Sequence, residues 1–282
     1  MKPLFDQVTI VGLGLIGGSI GLASRRYRAA KTVVGLSRRP DIIRRARARR
    51  AIDWGATDAA RAVRDADLVI IATPVDDIVR YALKLARLMK PGAILTDVGS
   101  TKAAVVAALD RRLPRSAAFV GGHPIAGSER RGIEAADGNL FDDSICVLTP
   151  TARTNRNALA QVGRFWKRLG ARVLPMAPAR HDRLLAAGSH LPHAVAFALA
   201  GSADPGLPKA PRSYLDMTRI AQSDPDLWDD IFLTNRRAVL AALDGFSREL
   251  RHLRAAIGRG DRTALRRRLA RAQSRRRALP DA

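Results

Sequence analysis

His123 is the residue of this chain whose surroundings most favour acid–base chemistry. It lies between Gly122 and Pro124 in the stretch 119–129, where an apolar strand runs into a loop. Ligands of parallel sheets bind at the carboxyl ends of the strands, and the imidazole of histidine titrates near neutral pH. Position and chemistry together make His123 the leading candidate for a general acid or base.

A second chemical signal is a glycine pattern that could hold phosphates. The β-branched run 8–11 is followed by closely spaced glycines and then by a helix-forming segment, 16–28. In a dinucleotide-binding βαβ unit the glycines permit a tight turn, a close approach to the pyrophosphate and tight helix–strand packing. The helix N-terminus then faces the phosphates. The predicted cofactor-binding residues are Gly12, Gly14, Leu15, Ile16 and Gly17. The alternative is that these glycines serve only a sharp turn.

The residues that select NAD or NADP should follow the second predicted strand, 32–36. NAD-specific sites place a carboxylate about 20 residues beyond the glycines, where it holds the ribose 2′-hydroxyl. This chain has Ser37, Arg38 and Arg39 there, and its first carboxylate follows at Asp41. A hydroxyl and guanidinium groups would bind a 2′-phosphate, so the sequence favours NADP. Alternatively, the arginines merely begin the basic helix predicted at 40–50.

The elements that must position these residues alternate along the chain. Apolar strands are predicted at 67–74 and 93–97, with a helix at about 76–89 between them. Alternation of strands and helices indicates a Rossmann-type, doubly wound parallel sheet. Residues at the carboxyl ends of its strands should border the cofactor; these are Thr73, Pro74 and Ser100.

A domain border is predicted at 175–178. A strand at 144–150, a helix at 155–169 and a short strand at 171–174 extend the first domain, and beyond them every segment is helix-like. The predicted domains are therefore a Rossmann-type α/β domain, 1–175, and an all-α domain, 176–282. An apolar seam at steps of three and four is typical of helix pairing and predicts a homodimer. It consists of Val239, Leu243, Phe246, Leu250, Leu253 and Ile257.

Composition sets the remaining bounds. The 282 residues can form one large or two ordinary domains. No apolar run approaches the roughly 20 residues of a membrane helix, and the one cysteine, Cys146, excludes an internal disulfide, so we expect a soluble cytoplasmic protein. The net charge of +23 is spread over most helices without interleaved aromatics. We therefore expect no specific nucleic-acid partner and no membrane partner. An arginine-rich source proteome and attraction of anionic substrates explain the charge more simply.

Five motifs together resemble the prephenate/arogenate dehydrogenase family of tyrosine biosynthesis. They lie at 12–18, 97–102, 121–129, 189–193 and 218–225. The first is shared by many dehydrogenases, whereas the last three, in this order and spacing, are specific. The resemblance implies an oxidative decarboxylation of a cyclohexadienyl acid. A hydride passes to the nicotinamide, the hydroxyl proton is withdrawn and carbon dioxide leaves as the ring becomes aromatic.

The resemblance also implies roles for individual residues. His123 matches a catalytic histidine that takes up the hydroxyl proton, Ser100 a serine that orients this hydroxyl, and Arg219 an arginine that holds a substrate carboxylate. Ser223, four residues on, is expected to share the helical face of Arg219. The substrate pocket is expected to include Ser128, His193, Ser223 and Trp228. For His193 the alternative is a structural histidine that caps a helix turn.

Two departures from the family leave the substrate open. Pro205 replaces a histidine that some prephenate-preferring members carry, so either arogenate or prephenate could be preferred. The chain also has no room for an appended regulatory or mutase domain, which leaves the active site as the expected place of any tyrosine inhibition.

Two alternatives to an NADP-preferring enzyme remain. One is an NAD-dependent prephenate dehydrogenase, and the other is a non-catalytic, basic NADP-binding protein that contacts nucleic acid.

Overall fold

The computed structural model describes residues 2–114, 116–126, 130–202 and 210–279. By its internal contacts the chain divides into two compact units, Met1–Arg236 and Arg237–Ala282. The first unit contains the sheets and the first helices of the all-α half, and the second contains most of the last two helices. The domain border expected at 175 stays a prediction.

Strands and helices alternate through the first half, and helices fill the second. The strands are β1 (Phe5–Val11), β2 (Ala30–Leu36), β3 (Trp54–Ala56), β4 (Leu68–Ile71), β5 (Ile94–Asp97), β6 (Ala118–Val120), β7 (Gly122–Ile125), β8 (Ile145–Leu148) and β9 (Arg172–Pro175). The helices of the first half are α1 (Leu15–Arg26), α2 (Pro40–Ala48), α3 (Ala59–Val63), α4 (Val75–Leu85), α5 (Ala103–Arg112) and α6 (Arg156–Arg168). Those of the second half are α7 (Pro178–Leu185), α8 (Leu191–Gly201), α9 (Arg212–Thr218), α10 (Pro225–Thr234), α11 (Arg236–Gly258) and α12 (Arg262–Arg277).

The main sheet is parallel and has the strand order β3-β2-β1-β4-β5-β6. This is the order of a doubly wound dinucleotide-binding sheet, as the sequence predicts. Its strands are continuous apolar runs because helices cover both faces. Alternate residues of β4 accordingly enter two separate cores, with Leu68 and Ile70 in one and Val69 and Ile71 in the other. The strand order reverses between β1 and β4, so the ligand crevice lies at the carboxyl ends of these strands.

The strands after β6 do not extend the parallel sheet. The chain turns at Gly121, and β7 pairs antiparallel with β8, which pairs parallel with β9 in a separate sheet of order β7-β8-β9. Gly122 lies so close to Asp97 that a Cβ atom there would contact the backbone oxygen of Asp97. His123 is therefore held within a paired strand rather than in a strand-to-loop passage.

Residues 178–201 form a continuous helical stretch with an internal irregularity. α7 and α8 are joined by one π-helical segment, Ala186–His190. The stretch Pro178–Gly201 is long and apolar enough, by length and composition, to cross a membrane, which differs from the expectation that no apolar run approaches this length. Its buried side chains include His181, Asp182 and His190. His190 Nδ1 lies 3.2 Å from Nδ2 of Asn235. His181 and Asp182 bond to other elements, as described below.

The C-terminal unit consists of a long and a shorter helix that expose both apolar and basic side chains. On α11 the predicted seam is only partly covered, with Phe246 37%, Leu250 53% and Ile257 60% exposed. Asp261 caps α12 by accepting a hydrogen bond from the Ala264 backbone N–H. All eight arginines of α12, 262, 266, 267, 268, 271, 275, 276 and 277, lie on a helix without a buried residue.

Candidate active site

The glycine turn has the geometry that dinucleotide binding requires. Gly12 has φ +94°, a left-handed conformation that side chains rarely adopt. A Cβ atom on Gly17 would overlap the carbonyl of Gly12, whereas one on Gly14 would meet open space. α1 begins at Leu15 without a side-chain cap, so its first N–H groups, including that of Ile16, remain open to a ligand. These residues fit a dinucleotide pyrophosphate.

The predicted Thr73 and Pro74 lie on the opposite wall of the same crevice. They follow β4, which is the neighbour of β1 at the switch point, and Pro74 precedes the first turn of α4. A Cβ atom on Gly12 would also overlap the Ala72 carbonyl, so the two strand ends approach closely. The structure therefore brings the glycine turn and the 73–74 loop together.

The predicted 2′-phosphate residues differ in how free they are. Arg39 forms ion-paired hydrogen bonds with Asp41 at 3.2 and 2.7 Å, and its backbone N–H donates to Ser37 Oγ. Hydrogen bonding to Arg39 lowers the pKa of Asp41 to about 2, a shift that burial opposes. Arg38 is exposed and makes no hydrogen bond or ion pair within the described residues. Of the two arginines, Arg38 is thus the one available to a ligand.

Ser100 lies on a loop that a buried ion pair anchors. The loop connects β5 to α5, and its two ends carry Asp97 and Lys102, both fully buried and joined as an ion pair. Asp97 also accepts hydrogen bonds from the backbone N–H groups of Gly99 and Gly122, and Lys102 Nζ donates to the Gly122 carbonyl at 3.0 Å. The pair thereby fastens the Ser100 loop to the strand that carries His123.

The imidazole of His123 points into a cluster of ionisable groups. Its Nδ1 lies 2.8 Å from Nε2 of His181, and the two rings meet edge to face with centroids 5.1 Å apart. Burial lowers the pKa of His123 well below 6.5, and the charges of His181, Lys102 and His190 lower it further. A group that the sequence placed near neutrality is therefore an unprotonated base at neutral pH.

His181 also contacts the neighbouring carboxylate of Asp182. Its Nδ1 lies 2.7 Å from Oδ1 of Asp182, and Asp182 accepts hydrogen bonds from the backbone N–H groups of Lys102 and Ala103 at the start of α5. Burial raises the pKa of Asp182, but the hydrogen bonds from His181 and from the two N–H groups more than offset it and leave the pKa lowered. Asp182 is thus an ionised, acceptor-only group behind the two histidines.

A separate cluster contains His193, Trp228 and Arg219. The rings of His193 and Trp228 are stacked, with centroids 3.6 Å apart and an interplanar angle of 21°. Burial lowers the pKa of His193, and the nearby charge of Arg219 lowers it further. His193 Nδ1 lies 3.0 Å from the Ser189 carbonyl, which can only accept, so Nε2 is the nitrogen left for a ligand. The structural and the ligand-facing interpretations of His193 are therefore compatible.

The expectation for Ser223 is wrong in one respect. Arg219 begins a 3-10 turn, Arg219–Gln222, and Ser223 follows it in extended backbone with φ −64° and ψ 158°. Spacing by four places two residues on one face only of an α-helix, so Ser223 does not share a helical face with Arg219. The turn ends there because Asp224 caps α10 and precedes Pro225.

The predicted site residue Ser128, like Pro205, lies outside the described residues.

Sequence reasoning assigned no role to four residues that the structure places behind the candidate base. These are Asp97, Lys102, His181 and Asp182. The first two fall within the motif at 97–102, where a buried strand ending in a carboxylate was a usable signal. For His181, neither spacing nor periodicity connects it to a residue 58 positions earlier.

The sheet order, the glycine turn and the ionisable cluster define an NAD(P)-dependent oxidoreductase. Residues 20–175 match the family described as prephenate dehydrogenase, nucleotide-binding domain, and residues 177–271 match prephenate dehydrogenase, dimerization domain. The chain belongs to the prephenate dehydrogenase family, whose reaction couples oxidation to decarboxylation.

Similar proteins cover nearly the whole chain. A cyclohexadienyl dehydrogenase of Zymomonas mobilis is 38% identical over 92% of this chain and 90% of its own length. A prephenate dehydrogenase of Bacillus subtilis is 35% identical over 93% of this chain and 72% of its own length. The crystal structure of A. aeolicus prephenate dehydrogenase with hydroxyphenyl propionate and NAD+ has a TM-score of 0.90 and 36% identity over 99% of both chains. A Synechocystis arogenate dehydrogenase structure has a TM-score of 0.81 and 32% identity, covering 96% of this chain and 98% of that one.

Proposed function

We propose that this enzyme converts arogenate or prephenate to the corresponding aromatic product, with NADP preferred over NAD. The observation that carries the reaction is the position of His123, which is partly exposed on β7 beside the Ser100 loop and hydrogen-bonded to His181. Burial lowers the pKa of its imidazole well below 6.5, which favours the unprotonated form at neutral pH. Bound nicotinamide dinucleotide supplies the hydride acceptor. His123 takes the proton of the ring hydroxyl, which Ser100 orients, while the ring carbon that bears this hydroxyl loses its hydride. The bond to the ring carboxylate breaks, its electron pair completes the aromatic ring as carbon dioxide leaves, and His123 returns the proton to the phenolate oxygen.

Substrate binding is assigned to the cluster around Arg219. Arg219 is exposed, is permanently charged and influences His193 electrostatically, so its planar guanidinium can hold a substrate carboxylate. The stacked His193 and Trp228 would form a wall of the pocket, and Ser223 borders it at the start of α10. Ser128 is assigned to the same pocket from the family motif alone.

A two-by-two assay of prephenate and arogenate with NAD and NADP tests both parts of this proposal. Turnover of either acid with release of carbon dioxide supports the reaction, and the ratio of kcat/KM values decides the substrate. Absence of turnover in all four combinations, with NADP binding retained, would favour the alternative of a non-catalytic NADP-binding protein.

The cofactor preference rests chiefly on Arg38. It lies two residues beyond β2 and is free of other partners among the described residues, whereas Arg39 is held by Asp41. Arg38→Ala should therefore weaken NADP binding more than Arg39→Ala does, and neither should weaken NAD binding. Arg44→Ala, an exposed change on α2, is the matched control. A parent enzyme with a higher kcat/KM for NAD would refute this assignment and establish the NAD-dependent alternative.

We also propose that the working form is a cytoplasmic homodimer. The exposed seam of α11 lies within the region that matches the dimerization domain, and a second copy would cover it. The apolar surface of Pro178–Gly201 is assigned to the same purpose rather than to a membrane, since its buried histidines bond within the chain. Light scattering at micromolar concentration should give twice the mass of one chain. A monomeric mass there would overturn the dimer.

A further inference from the structure

His123, His181 and Asp182 form one continuous chain of hydrogen bonds. The contact from His123 Nδ1 to His181 Nε2 is 2.8 Å, and that from His181 Nδ1 to Asp182 Oδ1 is 2.7 Å. Both are within the ordinary hydrogen-bond range. His181 is completely buried and Asp182 nearly so, which shields the contact between them from solvent.

The protons in this chain can be placed by elimination, starting from the carboxylate. Asp182 already accepts backbone N–H groups from Lys102 at 2.8 Å and Ala103 at 2.9 Å, and it can only accept from His181. The proton between them therefore belongs to His181 Nδ1. In its neutral form, His181 then carries a lone pair on Nε2, and this lone pair accepts from Nδ1–H of His123. The lone pair of His123 is consequently on Nε2, the nitrogen turned away from His181.

We propose that His181 and Asp182 are positioning residues that fix the tautomer and the ring orientation of the base His123. This inference deepens the proposed function and rests on His123 acting as its base. When His123 takes up the ring-hydroxyl proton at Nε2, it keeps its proton on Nδ1 and becomes a cation. The hydrogen bond to His181 then becomes charge-assisted, and the carboxylate of Asp182 lies behind it as the compensating charge.

The same carboxylate explains how the arrangement is built. Asp182 lies on α7 and caps the first N–H groups of α5, so a single side chain both fixes α7 against the nucleotide-binding half and orients His181. Asn235 adds to the docking of α7, because its side chain donates to the Asp182 carbonyl at 2.8 Å. The contact of His181 with the base therefore depends on the docking of α7 on α5.

The tautomers can be read directly by nitrogen-15 NMR of the histidine rings, which needs no activity. The parent enzyme should show a proton on Nδ1 and an unprotonated Nε2 for both His123 and His181 above pH 7. Assignment uses His123→Asn, His181→Gln and His252→Gln, the last of which changes an exposed histidine outside the site. A parent His123 protonated on Nε2 would overturn the proposal.

Kinetics provide the second measurement. His181→Phe removes the acceptor, so kcat should fall about 10²–10⁴-fold with KM nearly unchanged, as expected when a base loses its correct tautomer. His181→Gln can still accept from Nδ1–H through its carbonyl and should recover at least tenfold of that loss. The control His252→Gln should retain the parent kcat. Dissociation constants for NADP and circular dichroism check that the variants are folded.

The outcomes separate this proposal from the proposed function. If His181→Phe is folded and keeps the parent kcat, or if His181→Gln is no better than His181→Phe, the positioning role is wrong. If His123→Asn retains full activity, the proposed base is wrong, whatever tautomer the spectra show. A purely structural role for His181 would lower stability in both variants without the difference in kcat between them.

Discussion

The buried pair of Lys102 and Asp97 gives a quantitative test of how the site is held together. Lys102→Met leaves the Asp97 carboxylate buried, because both side chains are completely inaccessible. Breaking a buried pair by removing one partner costs about 3–5 kcal/mol. The loss includes the hydrogen bond to the Gly122 carbonyl, which water cannot replace at a buried position.

A second variant shows that the cost comes from the orphaned charge. In Lys102→Met with Asp97→Asn, the charge is gone and one amide oxygen can still accept from Gly99 or Gly122. We therefore expect the double variant to be more stable than Lys102→Met alone, with a coupling energy of about 1–3 kcal/mol. Urea unfolding near pH 7.5 measures both, provided that the slope with denaturant is unchanged.

Lys90→Met is the matched control. Lys90 pairs with Asp67 at 2.6 Å, but both side chains are partly exposed, so the loss should be below about 1 kcal/mol. If Lys102→Met lowers the free energy of unfolding no more than Lys90→Met does, or if the effects of the changes at Lys102 and Asp97 are additive, the reasoning fails.

The pH profile of kcat is a further readout. The charge of Lys102 helps to lower the pKa of His123, so its removal should move the acid limb of kcat to higher pH.

The remaining predictions concern catalysis and pH. His123→Asn cannot accept a proton near neutrality, so kcat should fall about 10²–10⁴-fold with little change in KM, whereas Arg219→Ala should mainly raise KM; equal losses in KM alone would refute the base. Burial lowers the pKa of His190 to about 4; the charge of Asp182 opposes this shift, and the charges of His181 and His193 add to it. The unfolded chain then binds more protons, and stability should fall by about 3 kcal/mol as pH drops from 6.5 to 4, less so in His190→Gln. Burial and the Asp76 carboxyl raise the pKa of Asp230 to about 6, so stability should fall as pH rises from about 4 to 6. Asp230→Asn should therefore raise Tm at pH 7.5 and not at pH 4; equal Tm shifts at both values would contradict this.

The nucleotide-binding half was predictable because its signals are local. A left-handed Gly12 and a buried apolar strand such as β4 leave their mark within a few residues of sequence. β3 was missed because three residues, Trp54–Ala56, are too few to show a period. The departure of β7 from the parallel sheet was missed because it depends on pairing with β8, more than twenty residues away.

The site was predictable only where a residue stands in a distinctive motif. His123, Ser100 and Arg219 each stand in such a motif, so the sequence could single them out as candidates, and their roles stay predictions. His181 was invisible because a polar side chain early in an amphipathic helix usually faces solvent. Only the docking of α7 on α5 turns that position inward, and this docking depends on Asp182 meeting two backbone N–H groups from residues 102 and 103.

If His123 acts as proposed, the position of Asp182 gives α7 a positioning role in the site, in addition to its place in the region that matches the dimerization domain. The first half supplies the glycine turn and the side-chain contacts of Asp97 and Lys102 that fasten the Ser100 loop to β7. It offers no acceptor among the described residues for His123 Nδ1, and that acceptor comes from α7. A base whose tautomer depends on a helix of the other half is correctly set only when that helix is docked. On this proposal, cofactor binding and proton abstraction are supported by different parts of the fold.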